Sequence, residues 1–128
     1  TRYMDLTNKL LDQLKKTLSA EQVQDVFTKI ANSMVADRVE KTRELTFEQK
    51  LDFIKKTLVT EGFMIEWEKK EDGYVITEVS CPYYHIGQEH PEVCILDQTF
   101  ISSILSRKTE KFNCVLNGDI RCSYFVSE

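Results

Sequence analysis

Four cysteines lie within the last 48 residues of this 128-residue chain, and they are the residues best suited to chemistry. They are Cys81, Cys94, Cys114 and Cys122, separated by twelve, nineteen and seven residues. Thiolate sulfur binds zinc and iron–sulfur clusters. Zinc fingers and ribbons show closely spaced cysteine pairs, which are missing here, so the spacing alone does not define the kind of site.

Three interpretations of the cysteines remain open: one shared metal or cluster site, four separate buried thiols, or two disulfides in an oxidising compartment. We predict the shared site. Cys81 follows a predicted strand, and Cys94 lies in the first turn of an apolar helix, where the helix N-terminus is expected to lower its thiol pKa. Cys114 and Cys122 flank a hairpin, and they share a face only if a three-residue turn through Asp119, with a bulge, connects the strands.

Other side chains near the cysteines are candidate ligands. His85 is a possible substitute metal ligand, although a loop histidine bonded to backbone is the simpler interpretation. An organic ligand would find aromatic rings in the same region, which otherwise belong to the core: Trp67, Tyr83, Tyr84 and Phe100. No nucleophile–base set or phosphate loop is present, and we expect the acidic residues to lie on helix surfaces. We therefore predict no catalytic residues and no enzyme activity.

Composition restricts the class of protein. Apolar residues make up 41% and charged residues 30% of the chain, with a net charge of −4. The short lysine runs are each diluted by nearby acids, which makes the chain a poor binder of a phosphate backbone. No apolar stretch is long enough to cross a membrane. We expect a cytoplasmic protein.

The elements that must position the cysteines begin with three helices. Leucines and a tyrosine three or four residues apart form a stripe on the first helix: Tyr3, Leu6, Leu10, Leu14 and Leu18. Ser19 with Gln22, and Thr46 with Gln49, are capping boxes that start the second and third helices. The second helix runs to about Val39 with an apolar face of Val23, Val26, Phe27, Ile30, Met34 and Val35. We assign residues 1–45 to a helical linker and dimerisation segment.

Strands follow after Gly62, which we expect to end the third helix in a left-handed conformation. Residues 63–69 and 74–79 alternate around the turn Glu71-Asp72-Gly73. An irregular loop, residues 81–90, leads to a helix from Pro91 to about Ser106, and a hairpin of residues 111–116 and 120–126 closes the chain. The prediction is an α+β fold, with N-terminal helices followed by ββαββ and an antiparallel sheet packed against helices; residues 46–128 form its sensor domain.

Two motifs resemble known families. The stretch Cys81-Pro82-Tyr83-Tyr84-His85, followed by His90-Pro91-Glu92-Val93-Cys94, resembles the C-terminal domain of winged-helix regulators related to the cyanobacterial repressor of iron–sulfur assembly genes. The ending, from Cys114 through Asn117-Gly118-Asp119 to Cys122-Ser123-Tyr124-Phe125, resembles 4-vinyl-reductase-type ligand domains. The N-terminal leucine stripe is similar to the linker helix that follows the winged helix in such regulators.

The resemblance implies the sensor domain of a transcriptional regulator, a homodimer that contacts DNA only through an N-terminal winged-helix domain upstream of Thr1. Its cofactor would be zinc or an iron–sulfur cluster on the four cysteines, with zinc slightly favoured in a purified sample. Lys111 stands where the zinc-type domains often have an acidic ligand, so four thiolates would replace that ligand. Two alternatives remain: a module that binds an apolar small-molecule effector beside a structural zinc, and a redox protein related to vinyl reductases.

Overall fold

The computed structural model describes residues 1–119 and 121–127. Three helices come first: α1 (Arg2–Thr17), α2 (Ala20–Thr42) and α3 (Phe47–Thr60). Both predicted capping boxes are confirmed. The side chains of Ser19 and Thr46 each accept a hydrogen bond from the backbone amide three residues on, and their own backbone amides donate to the side chain of the glutamine at that position. Gly62 has a φ of 103°, so the predicted left-handed end of α3 is also confirmed.

The apolar face of α2 differs from the prediction. The buried positions form a single row of residues four apart: Val23, Phe27, Ala31 and Val35. Ile30 and Met34 are exposed, so their assignment to the core was wrong. α2 also continues to Thr42 rather than ending near Val39. Ala31 completes the buried row. The prediction left it out because a search for periodic apolar residues counts large side chains and not alanine.

Strands β1 (Met64–Lys69) and β2 (Gly73–Ser80) form the predicted first hairpin. The predicted loop after it is partly wrong, because residues 84–89 form a short helix, α4 (Tyr84–Glu89). A 3₁₀ turn at Pro91–Val93 then leads into α5 (Cys94–Leu105). α5 is buried along Phe100, Ile101, Ile104 and Leu105, as its apolar sequence predicts.

The second hairpin is shorter than predicted. β3 (Glu110–Asn113) is followed by a 3₁₀ turn at Val115–Asn117 and then by β4 (Cys122–Ser127). The prediction that residues 114–116 continue the strand was therefore wrong, and the predicted strand position Ile120 lies outside the described residues. Asp119 explains the turn, since its carboxylate accepts from the Cys114 amide at 2.7 Å and its own amide donates to the Cys114 carbonyl.

The four strands form one antiparallel sheet in the order β1-β2-β4-β3. With helices packed on it, this confirms the α+β class; the chain order after the N-terminal helices is ββααββ, one short helix more than predicted. The main core lies between one sheet face and α2, α3 and α5. A smaller cluster around Val23, Phe27 and Val93 lies under α1. None of the helices in the described part of the chain is long and apolar enough to cross a membrane.

Candidate metal centre

The register of the sheet places a polar row at the end of its inner face. β2 and β4 pair Tyr74 with Val126, Ile76 with Tyr124 and Glu78 with Cys122. Residues paired directly across antiparallel strands project from the same face. The first two pairs are buried in the core, so the third pair, Glu78 and Cys122, points to the interior as well.

The bulge in β3 decides where Cys114 lies. Lys111 pairs with Tyr124, but Asn113 pairs with Ser123, so one extra residue separates the two pairs. Cys114 comes directly after the end of β3, beyond this shift in register. The thiols of Cys114 and Cys122 are both buried, and both act electrostatically on Cys94 and Lys111. Cys114 and Cys122 thus face the same interior, although the connection is longer than the three-residue turn that we expected.

A small cavity brings together cysteines from three elements. Cys81 directly follows β2, Cys94 is the first residue of α5, and Cys122 is the first residue of β4. The space among them is about 10 Å³, roughly that of one water molecule. The lining consists of these three cysteines and six further residues: Glu78, Tyr83, Tyr84, Asp97, Lys111 and Leu116. None of the four cysteines forms a disulfide with another described residue.

Two buried carboxyl groups face this cavity, contrary to the expectation that the acidic residues lie on helix surfaces. Glu78 is 2% and Asp97 4% exposed. The Tyr124 hydroxyl donates to Asp97 Oδ2 at 2.9 Å and to Glu78 Oε1 at 3.5 Å. The second oxygens, Glu78 Oε2 and Asp97 Oδ1, accept no hydrogen bond from an N–H or a hydroxyl group of the described residues, but the two carboxyl groups share a hydrogen bond with each other. Such buried polar atoms are costly unless a further group satisfies them.

Burial controls the protonation of the site. It raises the pKa of Glu78 to about 10, with the nearby Asp97 carboxylate adding to the effect, so Glu78 is protonated at neutral pH. Burial also raises the thiol pKa of Cys81 to about 12 and that of Cys94 to about 11. The predicted lowering of the Cys94 pKa by the helix N-terminus was therefore wrong for the protein without a bound cation. Thiols of this kind are poor nucleophiles until a cation displaces their protons.

Lys111 supplies a positive charge beside these groups. Its ammonium lies 5.1 Å from the centre of the Tyr124 ring. Burial lowers the pKa of Lys111, but the neighbouring Cys94, Asp97, Cys114 and Cys122 raise it by more, so the net shift is upward. The lysine is therefore charged and offsets the negative charge that ionised thiols would bring to the cavity.

The sulfur atoms are spread more widely than one zinc ion requires. Four thiolates at about 2.3 Å from zinc lie about 3.8 Å from one another. The candidate ligand atoms are the cysteine sulfurs together with the carboxyl oxygens of Glu78 and Asp97. Among the described residues, no three of these atoms from different residues all lie within 4.8 Å of one another. A four-iron cluster binds each thiolate through a different iron and spaces the sulfurs more widely. The donor set is thus that of a thiolate-bound group, but the cysteine sulfurs are not gathered closely enough to bind one zinc ion together without moving.

An open cleft lies directly outside the cavity and gives access to it. It measures about 430 Å³ and shares Glu78, Cys81, Tyr84 and Cys122 with the cavity. His85, the predicted substitute ligand, is exposed and lines this cleft, with its ring 5.4 Å from that of Tyr84.

The predicted aromatic pocket is not formed as a unit. Trp67 lies against α3, where its indole donates to Asp52 at 2.9 Å and contacts the Tyr74 ring. Tyr83 and Phe100 share a separate cavity of about 30 Å³ between α2, α3 and α5, while Tyr84 lines the cysteine cavity. The prediction that all four rings line one ligand pocket was therefore wrong. The positions of these rings depend on packing between residues far apart in the sequence, and the sequence pattern does not predict such packing.

A second group of possible ligands lies where α1 meets α4. Ligand atoms of Asp12, Glu89 and His90 all lie within 4.8 Å of one another. The Lys15 ammonium, however, is 3.4 Å from His90 Nδ1 and 3.3 Å from the Glu89 carbonyl. A positive charge already occupies this neighbourhood, so the group forms an ion network rather than a second metal site.

Sequence reasoning missed Glu78 and Asp97, although a local signal exists for each. Glu78 lies two residues after Ile76 and four after Tyr74 in β2, so its side chain projects from the same face of the strand as theirs. Asp97 lies one turn after Cys94 and one turn before Ile101 on α5, within the buried stripe. No family model, curated protein or solved structure matches this chain, so its function has to be inferred from the site.

Proposed function

We propose that this chain is the sensory part of a regulator that holds an iron–sulfur cluster, or less favourably zinc, on Cys81, Cys94, Cys114 and Cys122. One observation carries the proposal. Three cysteines, Cys81, Cys94 and Cys122, line one small cavity together with two buried carboxyl groups and a lysine, and Cys114 lies close enough to act electrostatically on Cys94. An inert core has no need for this collection of polar groups.

The cysteine sulfurs are not gathered to the distance that one zinc ion requires, which favours the larger cluster. Four thiolates carry four negative charges, and Lys111 is the cation that lines their cavity. The group, when bound, supplies reversible one-electron chemistry or loss of the cluster as a signal. The chain itself would surrender thiol protons to form the ligands, hold Lys111 beside them, and cover the inner side with Tyr83 and Leu116.

The output and partners follow from the helical part. Three apolar residues on α1, Tyr3, Leu6 and Leu10, are 84%, 56% and 61% exposed at steps of three and four. This spacing is that of a coiled-coil seam, so the partner proposed for α1 is a second copy of the chain. The family resemblance adds a winged-helix domain N-terminal to α1 as the DNA-binding part, in a cytoplasmic regulator without enzyme activity of its own.

A small-molecule module finds less support. The cavity shared by Tyr83 and Phe100 measures about 30 Å³, while pockets for organic ligands measure roughly 300–1,000 Å³. An effector of ordinary size could enter this inner cavity only if α2 and α5 separated.

The test is anaerobic purification with thiols reduced, followed by absorption spectroscopy and analysis of iron, sulfide and zinc. We expect broad absorption near about 400 nm and iron with sulfide in equal amounts. Cys94→Ser should lose most of this content, whereas Met64→Ser, which removes an exposed sulfur from β1, should retain it. Less than about half an equivalent of either metal per chain in the wild type would refute the proposal.

A further inference from the structure

The chain between Cys81 and Cys94 connects the cysteine cavity to α1. We propose that α1 is the output element of the cysteine site, and that a polar joint of four side chains transmits the state of the site to it: Asp12, Lys15, His90 and Glu92. This inference rests on the proposed function, because it needs a site whose occupancy changes.

The connecting segment carries a candidate ligand at each end. Residues 82–93 contain α4 and the 3₁₀ turn, with Cys81 just before the segment and Cys94 just after it. The segment is short and largely helical, so it moves as a unit more readily than it stretches. When the two thiols change position to bind a common group, α4 and the turn must move with them.

Lys15 binds this segment and no other part of the sensor domain among its described contacts. Its ammonium lies 2.9 Å from Glu92 Oε1, 3.3 Å from the Glu89 carbonyl oxygen and 3.4 Å from His90 Nδ1. All three acceptors belong to residues 89–92. The side chains of Lys15 and Glu92 are only 32% and 26% exposed, so solvent and salt screen the pair less than an exposed one.

His90 forms the second half of the joint. It is 2% exposed, and its Nε2 lies 3.2 Å from Asp12 Oδ1, one helical turn before Lys15. An ammonium can only donate, so Nδ1 accepts, and we assign the ring proton to Nε2, which faces Asp12. The Nε2 contact is not aligned as a hydrogen bond. A small displacement of residues 89–92 therefore either improves or breaks it.

Apolar contacts alone hold α1 weakly. α1 has no buried residue, and its contribution to the adjoining cluster comes from half-buried side chains such as Leu11 and Leu18, beside Val93 and Ile86. That cluster contains only three buried residues. The polar joint therefore adds to these apolar contacts the charged contacts that connect α1 with residues 89–92, and its rearrangement can release or tighten the helix.

The experiment measures amide hydrogen exchange of residues 2–17 in this chain, before and after anaerobic reconstitution with iron and sulfide. In the wild type, we expect reconstitution to change the α1 exchange rates severalfold. Lys15→Met keeps the length of the side chain but removes the charge; it should abolish that response and raise α1 exchange in the untreated protein. Lys16→Met, on the neighbouring exposed position, is the matched control and should behave as the wild type.

The outcomes separate the two proposals. If the wild type takes up neither iron nor zinc, the proposed function fails, and this inference fails with it. If it takes up the group but α1 exchange does not respond, or if Lys15→Met responds like the wild type with equal cofactor content, only the inference is overturned. The readout on metal content keeps a loss of folding apart from a loss of coupling.

Discussion

Replacing Glu78 by glutamine should stabilise the cation-free protein at neutral pH. Glu78 is buried at 2% exposure beside Asp97 and Tyr124, and its pKa rises from 4.5 to about 10 in the folded state. The unfolded chain loses this proton above pH 4.5, while the folded chain keeps it. Stability is therefore fully present below pH 4.5 and falls by about 1.4 kcal/mol per pH unit up to the folded pKa.

The size of the effect follows from the 2.5 units between 4.5 and 7. Keeping Glu78 protonated at pH 7 costs about 3 kcal/mol of folding free energy. Glutamine has the shape of the protonated acid and carries no charge at any pH. Glu78→Gln should thus increase the free energy of unfolding at pH 7 by up to about 3 kcal/mol and have little effect near pH 4.5.

The free energies of unfolding of the wild type and of Glu78→Gln are measured by urea unfolding of the reduced, chelator-treated proteins at pH 5, 6, 7 and 8. Glu66→Gln, on the same sheet but exposed, is the control and should change stability by less than about 0.5 kcal/mol. If Glu78→Gln is less stable than the wild type at pH 7, or if its stability falls with pH as steeply as that of the wild type, the assignment of a buried protonated carboxyl is wrong.

Three further predictions concern the cysteines, the core and α1. Because Cys81 and Cys94 have raised pKa values and must each lose a proton to bind metal, apparent zinc affinity should rise by at least about two logarithmic units per pH unit between about pH 6 and 8, as measured by chelator competition; an affinity independent of pH would contradict this. Ile101→Ala, at 0% exposure in α5, should cost about 2–5 kcal/mol in urea unfolding, and a cost below about 1 kcal/mol would show that the site is not close-packed. Leu10→Glu on the exposed seam of α1 should give a monomer in sedimentation, and a wild type that is already monomeric at tens of micromolar would refute the dimer.

Local signals in the sequence predicted the helices and the first hairpin well. Each capping box consists of two residues three positions apart. The end of α3 depends on the ability of Gly62 to adopt a positive φ. Nearby residues are therefore enough to specify where these helices begin and end. α4 has no such signal: its N-cap residue, Tyr83, makes no side-chain cap hydrogen bond. Packing of Gly87 against Leu116, 29 positions along the chain, accompanies that helix, and such a contact cannot be read from a short window.

Some residues of the candidate site were likewise predictable from the sequence, and others were not. The cysteines are conspicuous by type, and three of them, Cys81, Cys94 and Cys122, line one cavity, while a site shared by all four stays a prediction. The buried carboxyls were missed because glutamate and aspartate are normally exposed, and only the pairing of β2 with β4 brings Glu78 opposite Cys122. The bulge at Phe112, which sets the place of Cys114, also depends on pairing rather than on any residue within the turn.

The strand order has a consequence for biosynthesis. β4 is the last strand along the described chain, yet it lies between β2 and β3 in the sheet. During translation, α1, α2, α3 and the first hairpin are available long before residues 122–127 leave the ribosome, but β2 stays an open edge and Cys122 is absent until then. The sheet and its cysteine cavity must therefore close late, through contacts distant in sequence, which are the slow ones in folding. Cofactor insertion into this chain would have to wait until β4 has been made, and the cell would have to protect the exposed edge of β2 in the meantime.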